Sequence, residues 1–226
     1  MLVSHRHAFI YTKTIKTAGT SVEAYFERFC LADPEQPISE VRDQYVSEAG
    51  IVGARSMAAQ SGKYEWWNHM PAALIRQKLG GEMFGRYFKF CCIRNPFDRV
   101  LSAYFWYDDF GLVKLPKDLP ARERLEAWIA EKGVPVDRNK YCIGGRYVMD
   151  DVVRHENLAA DMERICGKLN LPWQPERLPR MKTGVRPAGT SAAEMFTAKA
   201  RALVEQQFSL ELDLFGYGFP AEAAAA

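Results

Sequence analysis

Apolar and polar positions divide the chain into short runs of two kinds. Ala8-Phe9-Ile10-Tyr11 is an apolar stretch that gives way to Thr, Lys, Gly and Ser, which predicts a buried strand running into a loop. From Ser21 onward, Val22, Tyr25, Phe26 and Phe29 recur at helical spacing, so strand, loop and helix follow in order. The order returns downstream. Residues 87–93 predict a second buried strand, Arg94-Asn95-Pro96 breaks it, and a helix is predicted over residues 96–107. There Asn95 suits the N-cap, Pro96 the first helical position and Asp98 the first turn. Between these units Pro71 opens a helix whose Ala72, Ile75 and Leu79 share a face, and Gly80-Gly81 closes it. Two strand-loop-helix units predict an α/β fold with a central parallel sheet flanked by helices.

The remaining pattern is weaker. Residues 31–63 mix Pro34, Pro37 and polar positions and carry no assignable period. An amphipathic helix is predicted around Leu125, Trp128 and Ile129, a short strand over 147–154, a helix capped by Asn157, and a last helix over 192–209. No internal repeat is present. The closing residues 221–226 are an alanine-rich tail that stands outside the fold argument.

At 226 residues the length predicts one domain, over residues 1–220. Hydrophobic residues at 48% and charged residues at 26% exclude a disordered or fibrous chain. A formal net charge of +2 is too small to point to nucleic acid or a membrane surface, so any basic function must come from placement. Five cysteines (Cys30, Cys91, Cys92, Cys142, Cys166) form no CxxC pair and no zinc-spaced comb; they read as reduced thiols, Cys91 and Cys92 in the core. No metal is expected. No window approaches the ~20 apolar residues that span a bilayer, and the first residues lack the apolar run of a signal peptide. The expectation is a soluble, cytoplasmic protein.

Candidate chemistry gathers at the two loops. Lys13-Thr14-Ile15-Lys16-Thr17-Ala18-Gly19-Thr20-Ser21 lies between a buried strand and a helix, where backbone N–H groups can converge on an anion. Lys16 adds a cation; Thr17, Thr20 and Ser21 add hydroxyl donors. The loop is not a Walker A motif, because Lys16 precedes Gly19. Read alone, the lesser alternative is a polar turn with a solvated lysine. Arg94 stands at the end of the second strand, where open α/β sheets bind ligands, and its guanidinium suits phosphate. Ser102 follows eight residues later, just over two helical turns. Arg99 reads as well as a structural ion pair as a ligand contact.

Lys16-Thr17-Ala18-Gly19-Thr20-Ser21 resembles the 5′-phosphosulfate loop of sulfotransferases, and residues 94–104 resemble their 3′-phosphate motif. The resemblance is nearest to carbohydrate sulfotransferases of the heparan sulfate 2-O-sulfotransferase type and their bacterial relatives; Glu156-Asn157-Leu158 and residues 212–219 extend it weakly. It implies a P-loop-kinase-like sulfotransferase fold and 3′-phosphoadenosine 5′-phosphosulfate (PAPS) as donor. Lys16, Thr17, Ala18, Gly19, Thr20 and Ser21 would hold the 5′-phosphosulfate, and Arg94 and Ser102 the 3′-phosphate. Lys182, Thr183 and Arg186 match the group's late basic loop loosely. Ile15 departs from the proline that many relatives carry before the lysine, and Lys13 is a cation without a place in the motif.

The acceptor, a hydroxyl expected on a carbohydrate or another small alcohol, must lose a proton. His69 is the base candidate: it precedes a helix, whose N-terminus keeps imidazole neutral, and it stands where the 2-O-sulfotransferase type carries its catalytic histidine. The alternative for His69 is a capping or buried structural residue. His5 and His7 read as solvated near a flexible end, and His155 as locally packed. Trp66, Trp67, Trp106 and Tyr107 could line a sugar site but read more readily as core. Lys16 would neutralise charge on the leaving bisphosphate. Two competing readings are an ATP-dependent small-molecule kinase, which lacks the Walker order, and a non-catalytic module binding nucleotides or sulfated glycans.

Overall fold

Three parallel strands form the part of the architecture that the apolar runs predict. β1 (Leu2–Ser4), β2 (Phe9–Thr12), β3 (Tyr45–Val46), β4 (Gly50–Val52), β5 (Phe88–Ile93), β6 (Cys142–Ile143), β7 (Arg146–Tyr147) and β8 (Asp151–Arg154) follow in chain order. They alternate with α1 (Gly19–Glu27), α2 (Ala72–Leu79), α3 (Gly81–Arg86), α4 (Pro96–Asp109), α5 (Ala121–Lys132), α6 (Leu158–Lys168), α7 (Ala192–Met195), α8 (Ala198–Gln207) and α9 (Ser209–Phe215). The structure, a computed structural model, describes residues 1–55, 63–132, 136–181 and 184–220. Lys182, Thr183 and the alanine-rich tail therefore lie outside the described residues.

The contacts group into two compact units, residues 1–93 with 137–181, and residues 94–136 with 182–226. The first holds a six-stranded sheet in the order β3-β4-β1-β2-β5-β8. β2, β5 and β8 are mutually parallel, with Tyr11 opposite Phe90 and Phe90 opposite Asp151. β1 runs antiparallel to both β2 and β4, and β3 antiparallel to β4. The sheet is thus mixed: its parallel half is the predicted one, and the antiparallel half comes from residues whose pattern carries no assignable period. Phe26 of α1 packs its ring 5.8 Å from Phe9 and 4.9 Å from Phe90, and Met162 and Ile165 of α6 join the same core. Each large side chain buried in this way contributes about 1.5–3 kcal/mol.

The second unit has its own core, in which Phe97, Val100 and Leu101 of α4 meet Leu125, Trp128 and Ile129 of α5 and Val204 and Phe208 beyond them. Asn95 caps α4 as predicted, its Oδ1 accepting from the Phe97 N–H at 3.0 Å, with Pro96 at the first position.

Several expectations change. The N-terminal segment is not a solvated end: β1 is fully buried, His5 Nδ1 lies 3.0 Å from the Tyr87 hydroxyl, and the His7 ring meets Phe29 edge-on. The strand predicted over 147–154 divides into β7 and β8. The predicted last helix breaks after Met195, because Ser191 and Glu194 form a capping box for α7 and Thr197 then starts α8 by accepting from the Ala200 N–H. Asn157 does not cap α6 with its side chain; its Nδ2 donates to Asp161, which also accepts from the Arg154 N–H. Trp66 is core.

Candidate functional site

The loop after β2 is shaped by backbone conformations that side chains disfavour. Lys16 has φ +60° and Ala18 φ +61°, left-handed values that cost a non-glycine residue about 1–2 kcal/mol each. Such alternation turns successive N–H groups toward one side, the geometry of an anion-binding nest. α1 begins at Gly19 with no side-chain cap and no acidic residue in its first turn. Gly19 is required by close approach: a Cβ there would lie 3.0 Å from the Thr14 carbonyl and 3.2 Å from the Tyr11 hydroxyl, which donates to the Gly19 carbonyl.

The hydroxyls of the loop do different work. Thr14 donates to the Cys92 carbonyl at 2.6 Å and its oxygen lies 2.8 Å from the Thr17 hydroxyl, so Thr17 is spent inside the loop rather than offered outward. Ser21 accepts from the Met181 N–H at 3.2 Å and keeps its proton to donate. The Thr20 hydroxyl has no protein partner among the described residues. Lys16 is half-buried at the bend. Asp137, 2% exposed, accepts from the Ile15 N–H and holds the loop from the other side.

His69 joins this loop. Its Nδ1 lies 3.1 Å from the carbonyl oxygen of Lys13, and its backbone is left-handed at φ +58°. Burial first, and then the charge of Lys13, push the imidazole down to about 3, so it is neutral near pH 7. The expected neutrality is there, but burial and Lys13 lead its causes rather than a helix N-terminus.

A buried ionic cluster lies under the loop. Glu23 Oε2 is 2.8 Å from Lys13 Nζ and 3.0 Å from Arg55 Nη1, and its Oε1 is 2.7 Å from the Met1 amino group. Glu27 pairs with Arg55 at 3.0 Å and with Arg42. Against the cost of burial, the cations hold the Glu23 carboxyl well below the usual carboxylate range.

Residues 1–110, which include this loop, His69 and the Arg94 segment, match the sulfotransferase family model. That match spans just under half of the chain. An uncharacterized protein of Archaeoglobus fulgidus is 30% identical over 104 residues, 46% of this chain and 84% of that relative.

The second candidate segment, residues 94–104, lies in the other unit and stands on α4. Arg94 and Ser102 are both half-buried. Arg99 is buried with its guanidinium 5.5 Å from the Phe208 ring. Arg186 pairs with Asp98 at 2.8 Å. Trp106 and Tyr107 are half-buried, and Tyr107 packs on the core of this unit. Among the described residues no group of three or more His, Cys, Asp or Glu side chains is placed to hold a metal, and no helix is long and apolar enough to cross a membrane.

Sequence reasoning missed Glu23, Arg55 and Asp137. One signal was available: Glu23 and Glu27 stand four apart among the apolar residues of α1, and carboxylates on such a face need cations. Arg55 and Asp137 carry no comparable mark.

Proposed function

We propose that this chain is a sulfotransferase that moves the sulfuryl group of PAPS to a hydroxyl, with a carbohydrate or another small alcohol as acceptor. The observation that carries the reading is the hydrogen bond between His69 and the Lys13 carbonyl, which brings a neutral imidazole to the anion-shaped loop within one unit. The left-handed bends at Lys16 and Ala18, the uncapped start of α1 and the Thr20 hydroxyl, without a partner among the described residues, fit a 5′-phosphosulfate. The donor, when bound, supplies a sulfuryl group already activated by the phosphate it leaves. Lys16 and the N–H groups of residues 16–21 neutralise the charge that grows on that phosphate; Ser21 and Thr20 donate hydroxyl hydrogen bonds. Arg94 and Ser102 hold the 3′-phosphate, and Lys182 and Thr183 belong to the same nucleotide in this reading. His69 accepts the acceptor's proton at its ring nitrogen. A bound anion would also raise the basicity of a ring that burial and then Lys13 depress, matching it better to proton abstraction. The five buried thiols, none in a disulfide, suit the reducing cytoplasm.

The test combines calorimetry with transfer of labelled sulfate. Adenosine 3′,5′-bisphosphate should bind more tightly than AMP or ATP, and label should pass from PAPS to a glycan or alcohol in a panel. His69→Ala should keep bisphosphate binding and lose about 10²–10⁴ in turnover. Equal affinity for AMP would remove Arg94 and Ser102 from the 3′-phosphate, and tight magnesium-dependent ATP binding would favour a kinase.

A further inference from the structure

Lys13 has no role in the reading above, and its surroundings supply one. Lys13 is 2% exposed, and its ammonium lies against Glu23, which has no exposure at all and also receives Arg55. Reaching outward to a ligand would leave Glu23 with one cation fewer in a buried site, so this lysine is not a binding residue. What Lys13 presents toward the site is its carbonyl oxygen, 3.1 Å from His69 Nδ1. A carbonyl only accepts. The neutral ring must then carry its proton on Nδ1 and its lone pair on Nε2. The left-handed backbone of His69 is a conformation that packing must impose, because the residue does not favour it alone.

We propose that Lys13 and Glu23 are positioning residues for His69: their buried ion pair clamps the chain just after β2, and the Lys13 carbonyl held there turns the imidazole so that Nε2 is the atom offered to an acceptor hydroxyl. The proposal rests on the reading of His69 as the base. The charged groups that act on the ring are Lys13, Glu23 and the Met1 amino group, with Arg55 behind Glu23. Lys13 lowers the basicity of the ring and Glu23 raises it, so the two partners have opposite signs.

Nitrogen-15 NMR of the full chain, without donor, reads both the tautomer and the titration of His69. The wild-type ring should show the Nδ1–H tautomer and stay neutral until about pH 3. Lys13→Met should move protonation to higher pH, and Glu23→Gln to lower pH. Both should admit the Nε2–H tautomer and lower kcat for sulfuryl transfer by about 100-fold, with KM for the donor unchanged. Should either single variant fail to fold, Lys13→Met combined with Glu23→Gln removes both charges together and should still loosen the tautomer. An Nε2–H tautomer in the wild type, or variants with unchanged tautomer and titration, overturns the proposal. A ring that responds as expected in a chain that transfers no sulfuryl group upholds the positioning and defeats the donor reading instead.

Discussion

The loop of residues 13–21 and the segment of residues 94–104 are both strand-to-helix junctions, yet they are held in different ways. In the second the helix start is local, with Asn95 capping α4 and Pro96 opening it, while Asp98 in its first turn pairs with the distant Arg186. The first is built against local preference, with left-handed Lys16 and Ala18 and no side-chain cap on α1. Its restraints come from afar, from Cys92 through Thr14, from Asp137 through Ile15 and from Met181 through Ser21. Beneath it, Arg55 ties together the carboxylates of α1. Strain of this kind persists only where the surroundings over-determine it, and it gathers at functional sites.

The contrast can be broken most forcefully at Arg55. Arg55→Met leaves Glu23 and Glu27 short of a shared cation in a buried site and should cost about 3–5 kcal/mol in urea unfolding. A loss under about 1 kcal/mol, the size of an ordinary surface effect, would mean that the ionic cluster does not hold the loop. Next in size is Lys16→Ala, which should lower kcat by about 10²–10³ and also weaken bisphosphate binding, since one preorganised donor contributes on that scale. Intact turnover in that variant would take the lysine out of the mechanism. Smallest is Asn95→Ala, about 1 kcal/mol of stability for the lost cap, read by thermal or urea unfolding. A much larger loss would show that α4, too, depends on distant contacts, for Asn95 Nδ2 also donates to the Gly218 carbonyl.

Periodicity reveals an element when one face of it is apolar over enough residues. β2, α1, β5 and α4 satisfy that condition, and their order was legible. β1, β3 and β4 are two or three residues long, too short to display a period, so half the sheet was not. The same limit divided the candidate site. Lys16 through Ser21, His69, Arg94 and Ser102 stand in recognisable patterns. The inward bond of Thr17 was not legible, because its partner, Thr14, could be chosen only once the loop had a shape. Lys13 had no place in the pattern, because only burial turns it inward to Glu23.

Residue order alone settled where strands turn into helices and which charged and hydroxyl groups stand at those turns, because these depend on neighbours within a few positions. Only the tertiary structure decided which of those groups face a ligand and which face each other. That choice depends on desolvation: a charge removed from water must find its partner wherever the fold brings one, and Glu23, Arg55 and Lys13 meet across separations that no local pattern records.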